Sequence, residues 1–123
     1  MSWFANIDLM NKALDATLLK KSVISENICN VDTPNYKRKD VNFESILQKE
    51  LDIHKSAQNL DLNKIEPQVY IDEATSAYRM DGNNVDIDVE MAEEAKIYAR
   101  YNALITRVNA QLNRFTTVLQ NIR

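Results

Sequence analysis

Glycine and proline are almost missing from this chain: Gly82, Pro34 and Pro67 are the only ones. That shortage argues against a turn-rich β protein, whose reversals draw heavily on both residues. Cys29 stands alone, so no intramolecular disulfide can support a thin core. His54 is the one histidine and lies far from Cys29 in sequence, a poor start for a Cys–His nucleophile or a metal site. No Gly-rich phosphate loop and no Ser/His/Asp set occurs. The expectation is a protein without catalytic, cofactor or metal chemistry.

Long apolar runs are missing too. The opening "MSWFANIDLM" has no basic stretch and meets Asp8 early, so neither a cleaved signal peptide nor a membrane span is expected. Nor is there a strong charge of one sign. The net charge is −3, with three acids and three bases in 1–30 and five of each in 86–123, so the excess falls between. Such a mild balance suits solubility and does not suggest nucleic acid.

What is present is helical periodicity at both ends. In a seven-residue frame Ile7, Leu14, Lys21 and Ile28 form one row, and Met10, Thr17, Ile24 and Val31 another, widened by Leu18 and Val23. The C-terminal rows are Met91, Tyr98, Ile105, Leu112, Leu119 and Glu94, Tyr101, Val108, Phe115, Ile122. Nine of these ten are apolar over about five heptads, a coiled-coil-like pattern. Acids cluster at the start of this segment and bases follow, as the helix dipole favours, with Asp86 or Asp88 as N-cap. Helices over 8–31 and 88–122 would run about 36 and 52 Å.

The fold class expected is therefore mainly α. Long terminal helices form a coiled-coil-like antiparallel pair, from 1–31 and 84–123, joined by an irregular or extended connection over 32–83. Within that connection "VNFESILQKEL", 41–51, has helical spacing, while 68–72 and 77–80 read as short extended runs that could make a hairpin. Two helices make a thin core and each keeps an apolar flank, so other subunits are expected to complete it. In isolation the ends are expected to be partly unfolded, ordering on docking. Trp3 and Phe4, read as preceding the first helix, could staple its start or insert into a partner.

The stretch "ENICNVDTPNYKRKD", 26–40, concentrates stop signals. Pro34 confines Thr33 to extended geometry and ends the helix before it. Asn27 and Asn30 carry amides for the last carbonyls or for a neighbouring chain. Asn35 tolerates positive φ, and Tyr36 could fold back over the helix end. "YKRK", 36–39, reads as a solvated loop or as a contact to an acidic neighbour. Arg100, Arg107 and Arg114 line one helix edge, either solvated or paired with carboxylates of an adjacent subunit. "DGNNVDIDVEMA", 81–92, has an EF-hand flavour, but Val85, Asp86 and Ala92 occupy positions that need a ligand, Gly and Glu. A turn entering an acidic helix cap is the better reading.

Two of these segments carry a resemblance. "SENICNVDTPNYKR" resembles the N-terminal signature of the flagellar basal-body rod protein family, with Asn27, Ile28, Asn30, Thr33, Pro34, Tyr36 and Lys37 matching. Cys29 and Asn35 stand where Ala and Gly are usual. "DGNNVDIDVEMAEEAKIYARYNAL" is similar to the opening of the C-terminal helix in the proximal-rod type of that family. The resemblance implies a structural subunit that pairs its terminal helices, stacks into a helical tube around an export channel and transmits torque. Implied partners are copies of itself, other rod proteins, a ring-side adaptor protein and the flagellar type III export apparatus. The implied location is the basal body outside the inner membrane, with no direct membrane insertion. Assembly residues would be Ile7, Met10, Leu14, Leu18, Ile24 and Ile28, with Met91, Tyr98, Tyr101, Ile105, Val108, Leu112, Phe115, Leu119 and Ile122. A stand-alone coiled-coil adaptor or chaperone, and a membrane-surface protein, are the alternatives.

Overall fold

A computed structural model describes residues 2–55, 60–73 and 79–122, with side chains from residue 5 onward. The elements are α1 (Ser2–Cys29), β1 (Lys39–Asn42), α2 (Glu44–His54), a 3₁₀ turn (Leu62–Lys64), β2 (Gln68–Ile71) and α3 (Ile87–Asn121). Among the described residues no helix is long and apolar enough to cross a membrane.

The two long helices run antiparallel. Asn27 of α1 meets Glu90 near the start of α3, Lys20 meets Glu93, and Lys21 lies over the Tyr98 ring. Along this register the start of α1 falls level with about residue 115, so roughly the last turn and a half of α3 projects beyond it. Buried in α1 are Ala16, Thr17, Val23, Ile24 and Asn27; in α3 they are Glu90 and Ile97. Small residues at 16 and 17 allow close approach of the two backbones. Thr17 turns its hydroxyl back onto the Ala13 carbonyl at 2.7 Å, which makes its burial inexpensive.

The connection packs against one side of this pair. β1 and β2 form an antiparallel ribbon with Lys39 opposite Ile71 and Val41 opposite Val69. β1 lies against α1, whereas all of β2 is exposed. Ile65, following the 3₁₀ turn, is fully buried and anchors that stretch. A cavity of about 310 Å³ remains between Ala13, Ala16, Ile97 and Leu104 of the helices and Val41, Phe43 and Tyr70 of the connection. On another flank a smaller groove is lined by α1 and α3 alone, through Thr17, Leu18, Lys21, Ile97, Tyr98, Tyr101 and Asn102.

Several boundaries differ from expectation. α1 begins at Ser2, so Trp3 and Phe4 lie inside its first turns and cannot precede it as a staple; their side chains lie outside the described residues. It ends at Cys29, leaving Val31 in the turns that follow. The short helix begins at Glu44 because 39–42 is committed to the ribbon. The extended run at 68–72 is found as β2, but its partner is β1. Of the run at 77–80, residues 77 and 78 lie outside the described residues, and Arg79 and Met80 belong to a bend and turn.

Candidate functional site: a polar junction and an open ridge

The two sequence motifs, some fifty residues apart, fold onto each other where α1 ends and α3 begins. Asn27 is fully buried there and uses its whole amide. Its Nδ2 donates to the Lys39 carbonyl at 2.8 Å and to Glu90 Oε2 at 3.2 Å. Its Oδ1 accepts from the Lys39 N–H at 2.9 Å and from the Tyr36 hydroxyl at 3.0 Å. Tyr36 does fold back over the helix end, because Thr33, Pro34 and Asn35 reverse the chain. Asn35 takes φ 61°, and its N–H reaches the Asp81 carbonyl at 2.8 Å. Burial, and then the charge of Glu26, raise the Tyr36 phenol above its ordinary pKa.

The last carbonyls of α1 are taken locally, by Asn30 and Val31, and those of the turn that follows it are closed mostly from the second motif. Asn30 satisfies Glu26 at 2.8 Å from within. Asn83, fully buried, donates its Nδ2 toward the carbonyls of Asn30, Val31 and Thr33, each at 2.9 Å. Lys37 reaches back to the Gly82 carbonyl, and Arg79 to that of Val31. Gly82 sits at φ 79°, and a Cβ there would overlap the Asn35 side chain. It is glycine for both reasons.

The acidic spacing that mimicked a calcium loop is a cascade of backbone turns. Asp81 Oδ1 accepts from Asn83 N, Asn83 Oδ1 from Val85 N, and Asp86 Oδ1 from Asp88 and Val89 N. The last of these is the N-cap of α3.

Beneath the cascade lies a buried charge. The Glu90 side chain is 0% exposed and receives Arg38 Nε at 2.7 Å. The same guanidinium donates to Asp72 Oδ2 at 2.6 Å and lies 3.6 Å from Asp40. Burial works against the Arg38 charge, but the bonds to Glu90 and Asp72 prevail and hold its pKa above the usual arginine value. Asn84 completes the set, accepting from Arg38 N at 2.6 Å and donating to the Asp72 carbonyl at 2.8 Å. Within "YKRK" Tyr36 and Arg38 therefore turn inward, whereas Lys39 stays at the surface and is paired within the chain. Arg38 enters the junction, and Lys39 pairs with Glu26 at 2.7 Å, which raises the Lys39 pKa.

On its open side the junction borders a hollow of about 310 Å³, lined by Arg38, Asp40, Asn84 and Glu90 among others, and among the described residues no nucleophile is paired with a base there. What the junction residues do is clamp the end of α1, the ribbon and the start of α3 in one register. Sequence reading saw Arg38 in a basic cluster, Asn83 in a calcium-loop-like spacing and Glu90 among the acids that open the helix, and gave none of them, nor Asp72 or Asn84, a place in a junction. Asn83, Asn84 and Glu90 lie within the second motif, but nothing in the local sequence distinguishes a buried amide or carboxylate from a solvated one.

The second feature is an apolar ridge. α3 turns Glu90 and Ile97 fully inward, and Leu104, Tyr101, Val108 and Phe115 are half-buried. The row one position onward stays open: Met91, Tyr98, Leu112 and Leu119 are 44–59% exposed, and Ile105 is half-buried. Leu18 of α1 is exposed beside Tyr98, and Ile122 beyond the helix end. Ile7, Met10, Leu14 and Ile28 are half-buried. Ile24, grouped above with assembly residues, is 2% exposed and belongs to the internal seam.

The chain as a whole is similar to known proteins. The chain is 37% identical to flagellar basal body rod protein FlgB of Bacillus subtilis, over 97% of both proteins. It is 36% identical to FlgB of Borreliella burgdorferi over 85% of this chain and 87% of that one. The chain belongs to the FlgB family of flagellar basal body rod proteins. The FlgB of Escherichia coli K12 is a more distant relative, 28% identical over 95% of this chain. No family model matches the chain. As a member of the FlgB family it is a structural component of the rod, located in the flagellar basal body.

Proposed function

We propose that this chain serves as a wall element of the proximal rod, with 1–31 and 84–123 as its assembly unit and 32–83 as the piece that fixes their register. The carrying observation is the ridge of Met91, Tyr98, Leu112 and Leu119, left open while the connection covers another side of the same helix pair. At about 25 cal/mol per Å² of apolar surface removed from water, such a row supplies a driving force for association. Neighbours that cover it are copies of this chain and other rod proteins, a ring-side adaptor holds the base, and delivery runs through the type III export apparatus. The stack encloses the export channel and carries torque, for which a clamped register between the helices is the physical requirement. The role is structural and not catalytic.

Basal bodies purified from cells expressing the epitope-marked chain test this. The chain is expected in them at the level of other rod proteins. Its recovery as a free dimer outside the basal body would support the stand-alone adaptor.

A further inference from the structure

α3 has a second open edge, and it is polar. Arg107 and Arg114 are exposed there, and with Ala103, Thr106, Ala110 and Gln111 they line a hollow of about 320 Å³. Alanines seven positions apart leave room for another helix to approach closely. Arg100 does not extend the row, because Glu44 of α2 already pairs with it. On α1, Asp8, Asn11 and Asp15 are exposed. Because α1 turns Ala16, Val23, Ile24 and Asn27 inward, a step of about 100° per residue carries Asp8 and Asp15 to its outer edge. The acids are seven positions apart, as are the two arginines, so both rows have the same spacing of about 10.5 Å.

We propose that these rows are the two halves of one contact between copies of this chain. Arg107 and Arg114 of one copy face Asp15 and Asp8 of the next. Copies related by a rotation and a rise keep a common direction, so α1 of one runs antiparallel to α3 of its neighbour, as within the chain. Pairing Arg107 with Asp15 and Arg114 with Asp8 shifts the helices by about five residues, roughly 7 Å, from the internal register. Each copy uses a different patch on its two sides, so the contact does not close on itself and can propagate. The inference rests on the rod reading and adds to it which carboxylates the arginines meet and in which direction.

The test measures the amount of chain in purified basal bodies. Asp8→Arg with Asp15→Arg, or Arg107→Asp with Arg114→Asp, juxtaposes like charges and is expected to lower incorporation roughly tenfold. All four substitutions in one chain are expected to restore it to within about twofold. Circular dichroism of each variant separates lost folding from lost contact, and the milder Asp15→Asn and Arg107→Gln variants, expected to lower incorporation about threefold, serve where a reversal does not fold. Direction is read by crosslinking in a Cys29→Ser background. Asp15→Cys with Arg107→Cys is expected to give disulfide-linked dimers on oxidation, and Asp8→Cys with Arg107→Cys is not. Unimpaired one-sided reversals, or crosslinking in the opposite pairing, overturn the proposal. Failure of the fourfold chain to recover also overturns it and assigns the arginines to a different chain's carboxylates. Absence of the unsubstituted chain from basal bodies overturns the rod reading itself.

Discussion

Asn27 and Glu90 lie 63 positions apart and meet in a fully buried contact, amide Nδ2 to carboxylate Oε2 at 3.2 Å. One is near the end of α1 and the other in the first turn of α3, so the contact fixes how the helices align. An asparagine amide with all its bonding capacity in use cannot be removed quietly. Asn27→Ala is expected to cost about 2–4 kcal/mol, since it strands the Lys39 backbone and the Tyr36 hydroxyl. Chemical denaturation measures this. A loss under about 1 kcal/mol would mean that water replaces the amide.

The Arg38–Glu90 pair should behave as a coupled unit. Arg38→Met leaves the buried Glu90 carboxylate without its guanidinium and is expected to cost about 3–5 kcal/mol, and Glu90→Leu less, because Asp72 still pairs with Arg38. The double variant should lose less than the sum, by at least about 1 kcal/mol, because the carboxylate that Arg38→Met strands at position 90 is then absent as well. Additive losses in a denaturation cycle would show that the two act separately.

Gly82 and Asn35 make a second coupled pair. Gly82→Ala should destabilise by about 1–3 kcal/mol through both overlap and positive φ. Adding Asn35→Gly removes the overlapping side chain, so the double variant should recover part of that loss but not the part due to backbone strain. Full recovery would assign the whole effect to overlap.

Alkaline stability should report on Tyr36. Its phenol has a folded pKa raised above the ordinary value of 10.0, so folding favours the protonated form. That contribution is complete below the unfolded pKa and is lost as pH climbs through the folded one. Tyr36→Phe should lose about 1 kcal/mol at neutral pH and show a shallower fall above about pH 10. Tyr70, raised in the same direction by burial, leaves some slope behind. An unchanged alkaline slope in melting experiments would dissociate Tyr36 from it.

The ridge predicts a separation of folding from assembly. Leu112 is 44% exposed, so Leu112→Asp should leave helicity and melting nearly unchanged. Export into the medium should persist while incorporation into basal bodies fails. Incorporation at the level of the unsubstituted chain would remove Leu112 from the contact.

Helix type, helix length and the Asp86 cap were legible because each rests on local chemistry: period, breaker and capping side chain. Asn35 was legible for the same reason. The facing of the helices was not. Their stripes span more than one row, and the seam was decided in large part by Ala16, Asn27 and Glu90, which lie outside the heptad rows. β1 was missed because "KDVN" has one apolar residue and gains strand geometry only by pairing with residues about thirty positions away. The junction was half legible. Asn27 and Asn30 read as amides for the helix end or a neighbouring chain and Asn35 as a turn-former, but the convergence of Asn27, Asn84 and Arg38 around one buried carboxylate is a fact of tertiary packing.

Because the ribbon and short helix dress one side of the helix pair, the subunit has an inner and an outer aspect, like a shingle. Objects repeated around and along an axis keep the same aspect toward that axis. Any cylinder of these chains is thus two-skinned, and residues 39–54 decorate only one skin. A substitution among residues 39–54 should therefore leave the opposite skin undisturbed.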